Sequence, residues 1–222
     1  MKKYAVIVAA GSGLRMGSSV PKQFLLLRGK PVLWYTITAF LNAFEDLEII
    51  LVVAQTQLDT ANNILKSLPS SNRIQMVTGG ETRFHSVKKG LSLISDESII
   101  FIHDGVLCLV TQDLIHRCYE HALQYGSAIP VVDCKDSVRL IMDNENTFVE
   151  RSRVKLVQTP QTFKSEILLP AYAVEYKEHF TDEAIVVETF GHKVQLIDGD
   201  INNIKITTAA DMIIAEEIAK NN

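Results

Sequence analysis

The sequence predicts an α/β fold built on a mainly parallel, twisted sheet with helices on both faces and one protruding β-hairpin arm. Apolar runs of strand length alternate with amphipathic helical segments, as right-handed βαβ crossovers require. The first run, Tyr4 to Ala10, is apolar throughout, which is typical of a strand buried on both faces. The alternation breaks only after residue 132, where two strand-like runs flank a polar turn. We therefore expect a Rossmann-like domain with an arm.

The composition fits one domain over residues 1–222. Hydrophobic residues make up 47% of the chain, in the ordinary globular range. A net charge of −4 gives no general basic surface for nucleic acid, so an anion site must be local. No apolar run reaches transmembrane length, and Met1-Lys2-Lys3 leads straight into a strand, so we expect no membrane segment and no cleaved signal. Three cysteines without metal-type spacing suit the cytoplasm.

The elements before the arm follow from hydrophobic spacing. Pro31 suits the first turn of a helix that runs to about Phe44. One face of that helix carries Leu33, Ile37, Phe40 and Leu41. Further predicted elements are a strand over 49–53, a helix over 58–68, a strand over 73–77, a helix with Phe84, Val87, Leu91 and Ile94 inward, a strand over 98–102, and a helix capped by Thr111.

The arm is predicted at about 135–157. Runs over 137–142 and 147–154 flank the turn sequence Asp143-Asn144-Glu145-Asn146, which indicates a hairpin. An isolated hairpin is marginal in water, so a partner chain would have to bury it, and we expect a homodimer. Beyond it we predict helices over 165–176 and 182–190, strands over 192–197 and 204–207, and a closing helix from Thr208 that packs Met212, Ile213 and Ile218 on the sheet.

The loop after the first strand carries the chemistry. Gly11-Ser12-Gly13 lets backbone N–H groups approach phosphate oxygens, and Arg15 and Lys22 follow as fixed cations. Ligand sites in open α/β sheets lie at the carboxyl ends of the strands, where this loop begins. Two cations there could neutralise a polyphosphate, so the loop predicts a nucleoside triphosphate site.

Other glycine-rich loops fit less well. A dinucleotide-binding loop would have a small residue where Met16 stands and an acid at the end of the second strand, where Gln55 follows. This weakens a nicotinamide oxidoreductase. A P-loop would close with Gly-Lys-Ser/Thr, which is absent. The plainest alternative is a tight strand-to-helix turn with solvated cations.

The stretch Ala9 to Phe24, AAGSGLRMGSSVPKQF, resembles the defining motif of the small cytidylyltransferases. It is most similar to the 2-C-methyl-D-erythritol 4-phosphate cytidylyltransferases of non-mevalonate isoprenoid synthesis, with the ribitol 5-phosphate enzymes as close cousins. Further blocks keep the family's order over nearly the whole chain: Gly79 to Arg83 with Ser86-Val87, His103-Asp104, Thr159-Pro160-Gln161, Thr181 to Ala184, and Asn203 to Thr207.

The resemblance implies CMP transfer from CTP to a polyol phosphate with Mg²⁺. It implies that the catalytic residues are Arg15, Lys22, Arg151 and Lys205, and that CTP contacts Ala9, Ala10, Gly11, Ser12, Gly13, Gly80, Glu81, Ser86 and Asp104. It assigns the acceptor to Ser137, Arg151, Thr181 and Asp182, with Ser137 and Arg151 acting across the dimer. Asp104 ends a buried strand, where a carboxylate can hold Mg²⁺ or merely cap the next loop.

One departure from the family concerns Leu107, which stands where the family has an arginine that helps to shape the sugar-phosphate side of the pocket. This leaves three readings open: the methylerythritol phosphate enzyme, a ribitol 5-phosphate enzyme, or a CTP-binding protein without turnover. For His103 a strand-end structural role is favoured over catalysis. His116 and His121 lie five residues apart and would not share a helix face, so no zinc site is expected.

Overall fold

The computed structural model describes residues 1–11, 20–143 and 145–220. The strands in chain order are β1 (Lys2–Ala9), β2 (Leu26–Leu27), β3 (Lys30–Pro31), β4 (Leu47–Val53), β5 (Ile74–Thr78), β6 (Ser98–Asp104), β7 (Ser127–Asp133), β8 (Val138–Met142), β9 (Glu145–Val149), β10 (Lys155–Val157), β11 (Gln161–Lys164) and β12 (Leu196–Asp198). The α-helices are α1 (Val32–Ala43), α2 (Leu58–Leu65), α3 (Arg83–Leu91), α4 (Gln112–Tyr125), α5 (Ser165–Ala171), α6 (Glu183–Thr189) and α7 (Ala209–Ile218).

The main sheet runs in the order β5-β4-β1-β6-β11-β7-β12, with β10 paired to the far half of β7. Strands β5, β4, β1 and β6 are mutually parallel, and β11 runs antiparallel between β6 and β7. The α/β class and the mainly parallel sheet predicted from the sequence are confirmed. Because β11 is inverted, its amino end lies beside the carboxyl end of β6, and many of the predicted site residues lie at this edge of the sheet.

The sheet is covered on both faces, and successive residues of each central strand point to opposite cores. One core joins Ile7, Leu51 and Phe101 to α1, α2 and α4. The other joins Val6 and Val52 to α3, α5 and α6. Buried strands of this kind read as continuous apolar runs, which is why the sequence revealed them.

Several element predictions need correction. The predicted strand over 204–207 is absent: Ile206 N–H donates to Val106 O, Ile204 N–H donates only locally to Asn202 O, and a side-chain hydrogen bond to Asn203 O anchors the start of the segment. Strand β11 was not predicted. The helix expected over 165–176 ends at Ala171, and the strand expected over 192–197 is limited to β12.

The arm and the last helix lie at the edges of the domain. Strands β8 and β9 pair antiparallel and form the predicted hairpin, with Val138 opposite Val149. The second strand covers 145–149 instead of the predicted 147–154, so Glu145 and Asn146 belong to β9 and not to the turn. Helix α7 starts with a capping box between Thr208 and Asp211. It packs Met212 and Ile218 against a small third core near β2 rather than against the main sheet, and Ile213 is exposed, contrary to prediction. No helix in the described ranges is long and apolar enough to cross a membrane.

Candidate active site

The predicted nucleotide residues come together at the carboxyl edge of the sheet. A cavity of about 470 Å³ lies between the ends of β1 and β6 and the start of α3. Nine predicted residues line it: Ala9, Ala10, Gly11, Lys22, Gly80, Glu81, Ser86, Asp104 and Lys205. The predictions for Ser12, Gly13 and Arg15, and the comparison based on Met16, lie outside the described residues.

The side chain of Gln23 ties the first loop to its neighbours. Its amide Nε2 donates to the carbonyl oxygens of Ala9 (2.8 Å) and Gly11 (3.0 Å) and to Gln57 Oε1 (3.0 Å). The bond to Ala9 is buried and the other two are partly buried, and together they hold the end of β1 against the turn at Lys22–Phe24. The sequence placed Gln23 within a motif but predicted no role for it.

The opposite wall of this cavity is set by a close approach of two loops. A Cβ on Gly79 would lie 2.6 Å from Ala10 Cβ, so only glycine fits there. The next turn is fixed because Gly80 N–H donates to Ser86 Oγ (3.1 Å) and Thr82 caps α3. The backbone around Gly80 is therefore fixed where it lines this wall of the cavity.

A second cavity, of about 620 Å³, adjoins the first on the β7 side of β6. Two predicted acceptor residues, Thr181 and Asp182, line it, and so does Leu107. The remaining wall includes Val132, Lys135, Asp136, Gln158, Thr159, Gln161 and Asn203. Gln161 is the first residue of the antiparallel strand β11 and Thr159 lies just before it, so both residues are at this edge of the sheet.

Within the described part of the chain, three charged side chains line both cavities: Arg83, Asp104 and Lys205. Arg83 Nε donates to Asp104 Oδ1 (3.0 Å), and Lys205 Nζ donates to Asp104 Oδ2 (2.5 Å). Burial opposes ionisation of Asp104, but the Arg83 and Lys205 cations outweigh it and hold the pKa of this carboxyl well below its usual range. Asp104 is therefore an ionised carboxylate that pairs with two cations. We call these three residues, which lie where the two cavities meet, the seam.

The backbone that carries Asp104 is fixed by a hydrogen-bonded chain. Asp104 N–H donates to Thr159 Oγ1 (3.2 Å). The Thr159 hydroxyl lies 2.9 Å from His103 Nδ1, and His103 Nε2 lies 3.0 Å from the carbonyl oxygen of Leu107. A Nε2–H tautomer satisfies this chain, because the carbonyl can only accept. Burial lowers the pKa of His103 to about 4, so the ring is neutral and holds the turn after β6.

Two predicted acceptor residues are not in either cavity of this chain. Ser137 and Arg151 line a separate groove on the arm, and Arg151 Nη1 donates to the carbonyl oxygen of Lys135 (3.1 Å). Their expected role across a dimer interface stays a prediction.

Several residues of the site were not predicted from the sequence. They are Arg83, Thr159, Gln161 and Glu183. All of them lie within the motif blocks that carry the family resemblance, and this was the sequence signal that could have identified them. No role could be assigned to them from local pattern, because their contacts join segments up to 100 residues apart.

A metal at this site would depend on Asp104. Within the described ranges no three His, Cys, Asp or Glu side chains cluster as a protein-only metal site would require. Mg²⁺ usually keeps several waters and binds one or two carboxylates together with substrate phosphates. A single ionised carboxylate between two cavities fits an ion that arrives with a nucleotide, provided that Lys205 releases Oδ2.

Comparison with known proteins agrees with this geometry. The family model for 2-C-methyl-D-erythritol 4-phosphate cytidylyltransferase matches residues 4–221. A protein of that name from Bacteroides thetaiotaomicron is 46% identical over 218 residues, covering 98% of this chain and all of the relative.

Solved structures agree as well. The 4-diphosphocytidyl-2C-methyl-D-erythritol synthase of Anaerococcus prevotii is 31% identical with a TM-score of 0.85, over 99% of this chain and 96% of that one. The 2-C-methyl-D-erythritol 4-phosphate cytidylyltransferase of Thermus thermophilus is 28% identical with a TM-score of 0.78, over 99% and 100%. The chain belongs to the 2-C-methyl-D-erythritol 4-phosphate cytidylyltransferase family.

Proposed function

We propose that this protein transfers CMP from CTP to 2-C-methyl-D-erythritol 4-phosphate, giving 4-CDP-2-C-methyl-D-erythritol and pyrophosphate. The observation that carries the proposal is the pair of adjoining cavities that share Arg83, Asp104 and Lys205. Two anionic substrates bound on either side of this seam would bring an acceptor phosphate close to the α-phosphorus of CTP. The named relatives favour methylerythritol phosphate over ribitol 5-phosphate as the acceptor.

CTP belongs in the smaller cavity, with its base against Gly80, Glu81 and Ser86. Fixed backbone groups at this wall would discriminate a pyrimidine from a purine by their hydrogen bonds to the base. The triphosphate then extends towards Lys22 and Lys205, both of which line the same cavity. Arg15 is proposed as a further cation on sequence grounds alone.

The reaction is an in-line displacement at phosphorus. An oxygen of the acceptor phosphate forms the new bond to the α-phosphorus, and the bond from that phosphorus to the β-bridging oxygen breaks, so the electron pair leaves with pyrophosphate. An acceptor phosphate that is already anionic needs no general base. Repulsion between anions and their positioning are therefore the main barriers, and fixed cations such as Lys22 and Lys205 lower both.

Mg²⁺ is proposed as the cofactor, held by Asp104 together with phosphate oxygens. When bound, the ion supplies positive charge that neutralises the polyphosphate. The half-exposed Lys205 side chain can leave Asp104 for the phosphates, which would free Oδ2. Arg83 would meanwhile keep Oδ1 in place.

The acceptor belongs in the larger cavity, against Thr181 and Asp182. One carboxylate oxygen of Asp182 already has a partner, because its Oδ1 accepts a hydrogen bond from Ile185 N–H (3.0 Å) at the start of α6. Leu107 presents an apolar surface there in place of the arginine expected for the family. We propose that Ser137 and Arg151 of the partner subunit complete the phosphate contacts.

A homodimer through the arm is supported by its apolar exposure. Ile141 is 75% exposed, Phe148 67% and Met142 64% in a single chain, which a monomer would leave in water. A cytoplasmic location stays a prediction; the three cysteines are free thiols.

Pyrophosphate release with CTP and Mg²⁺ tests the proposal directly. Methylerythritol phosphate, ribitol 5-phosphate and no acceptor are compared at equal concentration. We expect release with methylerythritol phosphate at least about tenfold above ribitol 5-phosphate, the discrimination that a few lost contacts give. Faster release with ribitol 5-phosphate would make the protein a ribitol enzyme, and CTP binding without release on either acceptor would make it a binding protein.

A further inference from the structure

Glu183, the first residue of α6, is a buried acid that accepts three side-chain hydrogen bonds from two residues. Its side chain has no solvent exposure. Arg83 Nη1 and Nη2 donate to its two oxygens at 2.6 and 3.0 Å, and the Tyr172 hydroxyl donates to Oε1 at 3.0 Å. This is a two-pronged guanidinium–carboxylate pair, the strongest geometry that such groups form. Glu183 lines neither cavity, but its partner Arg83 lines both.

Arg83 is thereby held by two carboxylates at once. Both of its terminal nitrogens are taken by Glu183, and Nε is taken by Asp104. A guanidinium has five N–H donors in a planar fork, so this arrangement fixes the direction of the whole group. Arg83 also lines the nucleotide cavity, where a polyphosphate would compete for its charge.

The same acid connects the seam to the acceptor side. Helix α6 begins directly after Thr181 and Asp182, and Gln161 Oε1 accepts from Ala184 N–H (2.8 Å) at its first turn. Arg83 therefore contacts both Asp104 and the first residue of the helix that follows the acceptor segment.

We infer that Glu183 is a positioning residue, held by Tyr172, that keeps Arg83 on Asp104 and away from the polyphosphate. This inference rests on the proposed function, because its effect on turnover assumes CMP transfer from CTP. A released Arg83 would bind the ground-state triphosphate and abandon Asp104. CTP would then bind more tightly while turnover slows, because binding gained in the ground state does not lower the barrier.

The test uses Glu183→Gln, which keeps the size and removes the charge. Titration calorimetry with CTP and Mg²⁺ in the absence of acceptor gives the dissociation constant, and pyrophosphate release gives kcat. We expect CTP affinity to rise about threefold to tenfold, as one new charge-assisted hydrogen bond would give after screening. We expect kcat to fall by about tenfold or more. Glu188→Gln, an exposed acid on the same helix, is the matched control and should leave both constants unchanged.

A second variant covers the case in which loss of a buried charge prevents folding. Tyr172→Phe keeps the ring that stacks on Phe84 (centroids 4.8 Å apart) and removes only the hydroxyl that holds Glu183. It should shift both constants in the same directions by smaller factors. A purely structural role predicts that CTP affinity and kcat fall together.

Unchanged or weaker CTP binding in the folded variants would overturn the inference. Failure of the proposed function would be a separate result, because the wild-type protein itself would then show no CMP transfer. The CTP affinities of the variants are measured without turnover and still decide the role of Glu183.

Discussion

Replacement of Lys205 by methionine is the sharpest test of the charged seam. Methionine keeps most of the aliphatic stem and removes the ammonium that contacts Asp104 at 2.5 Å. Deletion of one preorganised donor to transition-state charge costs about 2.7–4 kcal/mol, so kcat should fall by about two to three orders of magnitude.

The effect on folding should be small by comparison. The Lys205 side chain is 48% exposed, and Asp104 keeps Arg83 as a second partner. An ion pair of this exposure contributes about 1 kcal/mol or less, which corresponds to a change of about 2–4 °C in Tm for a chain of this size. The large loss should therefore be in turnover and not in stability.

The assay is pyrophosphate release at saturating CTP and acceptor, with thermal unfolding measured on the same preparations. Lys193→Met, at an exposed position outside both cavities, is the control. A Lys205→Met protein with turnover within about threefold of wild type would refute the catalytic role. A fall in Tm well beyond the range above would instead make Lys205 a structural residue.

The remaining predictions concern pH, the acceptor and assembly. His103 has a folded pKa of about 4 against 6.5 in the unfolded chain, so the unfolded state binds more protons between these values. The unfolding free energy in urea should fall by about 3 kcal/mol as pH drops from 6.5 to 4, and a flat profile would contradict this. Leu107→Arg should lower KM for the acceptor about tenfold with little change for CTP, and an unchanged acceptor KM would show that the position is unimportant. Phe148→Glu should give a monomer by light scattering at micromolar concentration, where the wild type should be a dimer.

Much of the fold could be predicted because its buried strands carry their own pattern. The runs of β1, β4 and β6 are apolar over most of their length, so their burial on both faces could be predicted without any long-range information. Strand β11 could not be predicted in this way. Its Gln161–Lys164 sequence has one large apolar residue, Phe163, and its place between β6 and β7 depends on pairing with distant segments.

The predicted strand at 204–207 failed for the opposite reason. Its β-branched residues favour a strand, but the segment is anchored by side chains instead: Gln158 Nε2 donates to the carbonyl oxygen of Asn203 (3.1 Å), and Asn203 Nδ2 donates to that of Thr159 (2.9 Å). Propensity is a weak guide where tertiary hydrogen bonds fix the backbone.

The same distinction applies to the site. The motif blocks pointed to charged residues that lie together, since Lys22, Asp104 and Lys205 line one cavity. They did not reveal how those charges are paired. That Arg83 spans Asp104 and Glu183 depends on where α3 and α6 meet, 100 residues apart in sequence, and no local pattern carries that information.

The consequence of Leu107 depends on which of its atoms hold the turn after β6. Its N–H donates to the carbonyl oxygen of Asp104, and its own carbonyl oxygen contacts His103, so the turn is held by main-chain atoms that any residue supplies. Neighbouring Gly105 N–H donates to Val8 O, again through the main chain. The missing arginine therefore leaves the position of Asp104 and the nucleotide cavity intact, and its effect should be confined to the acceptor.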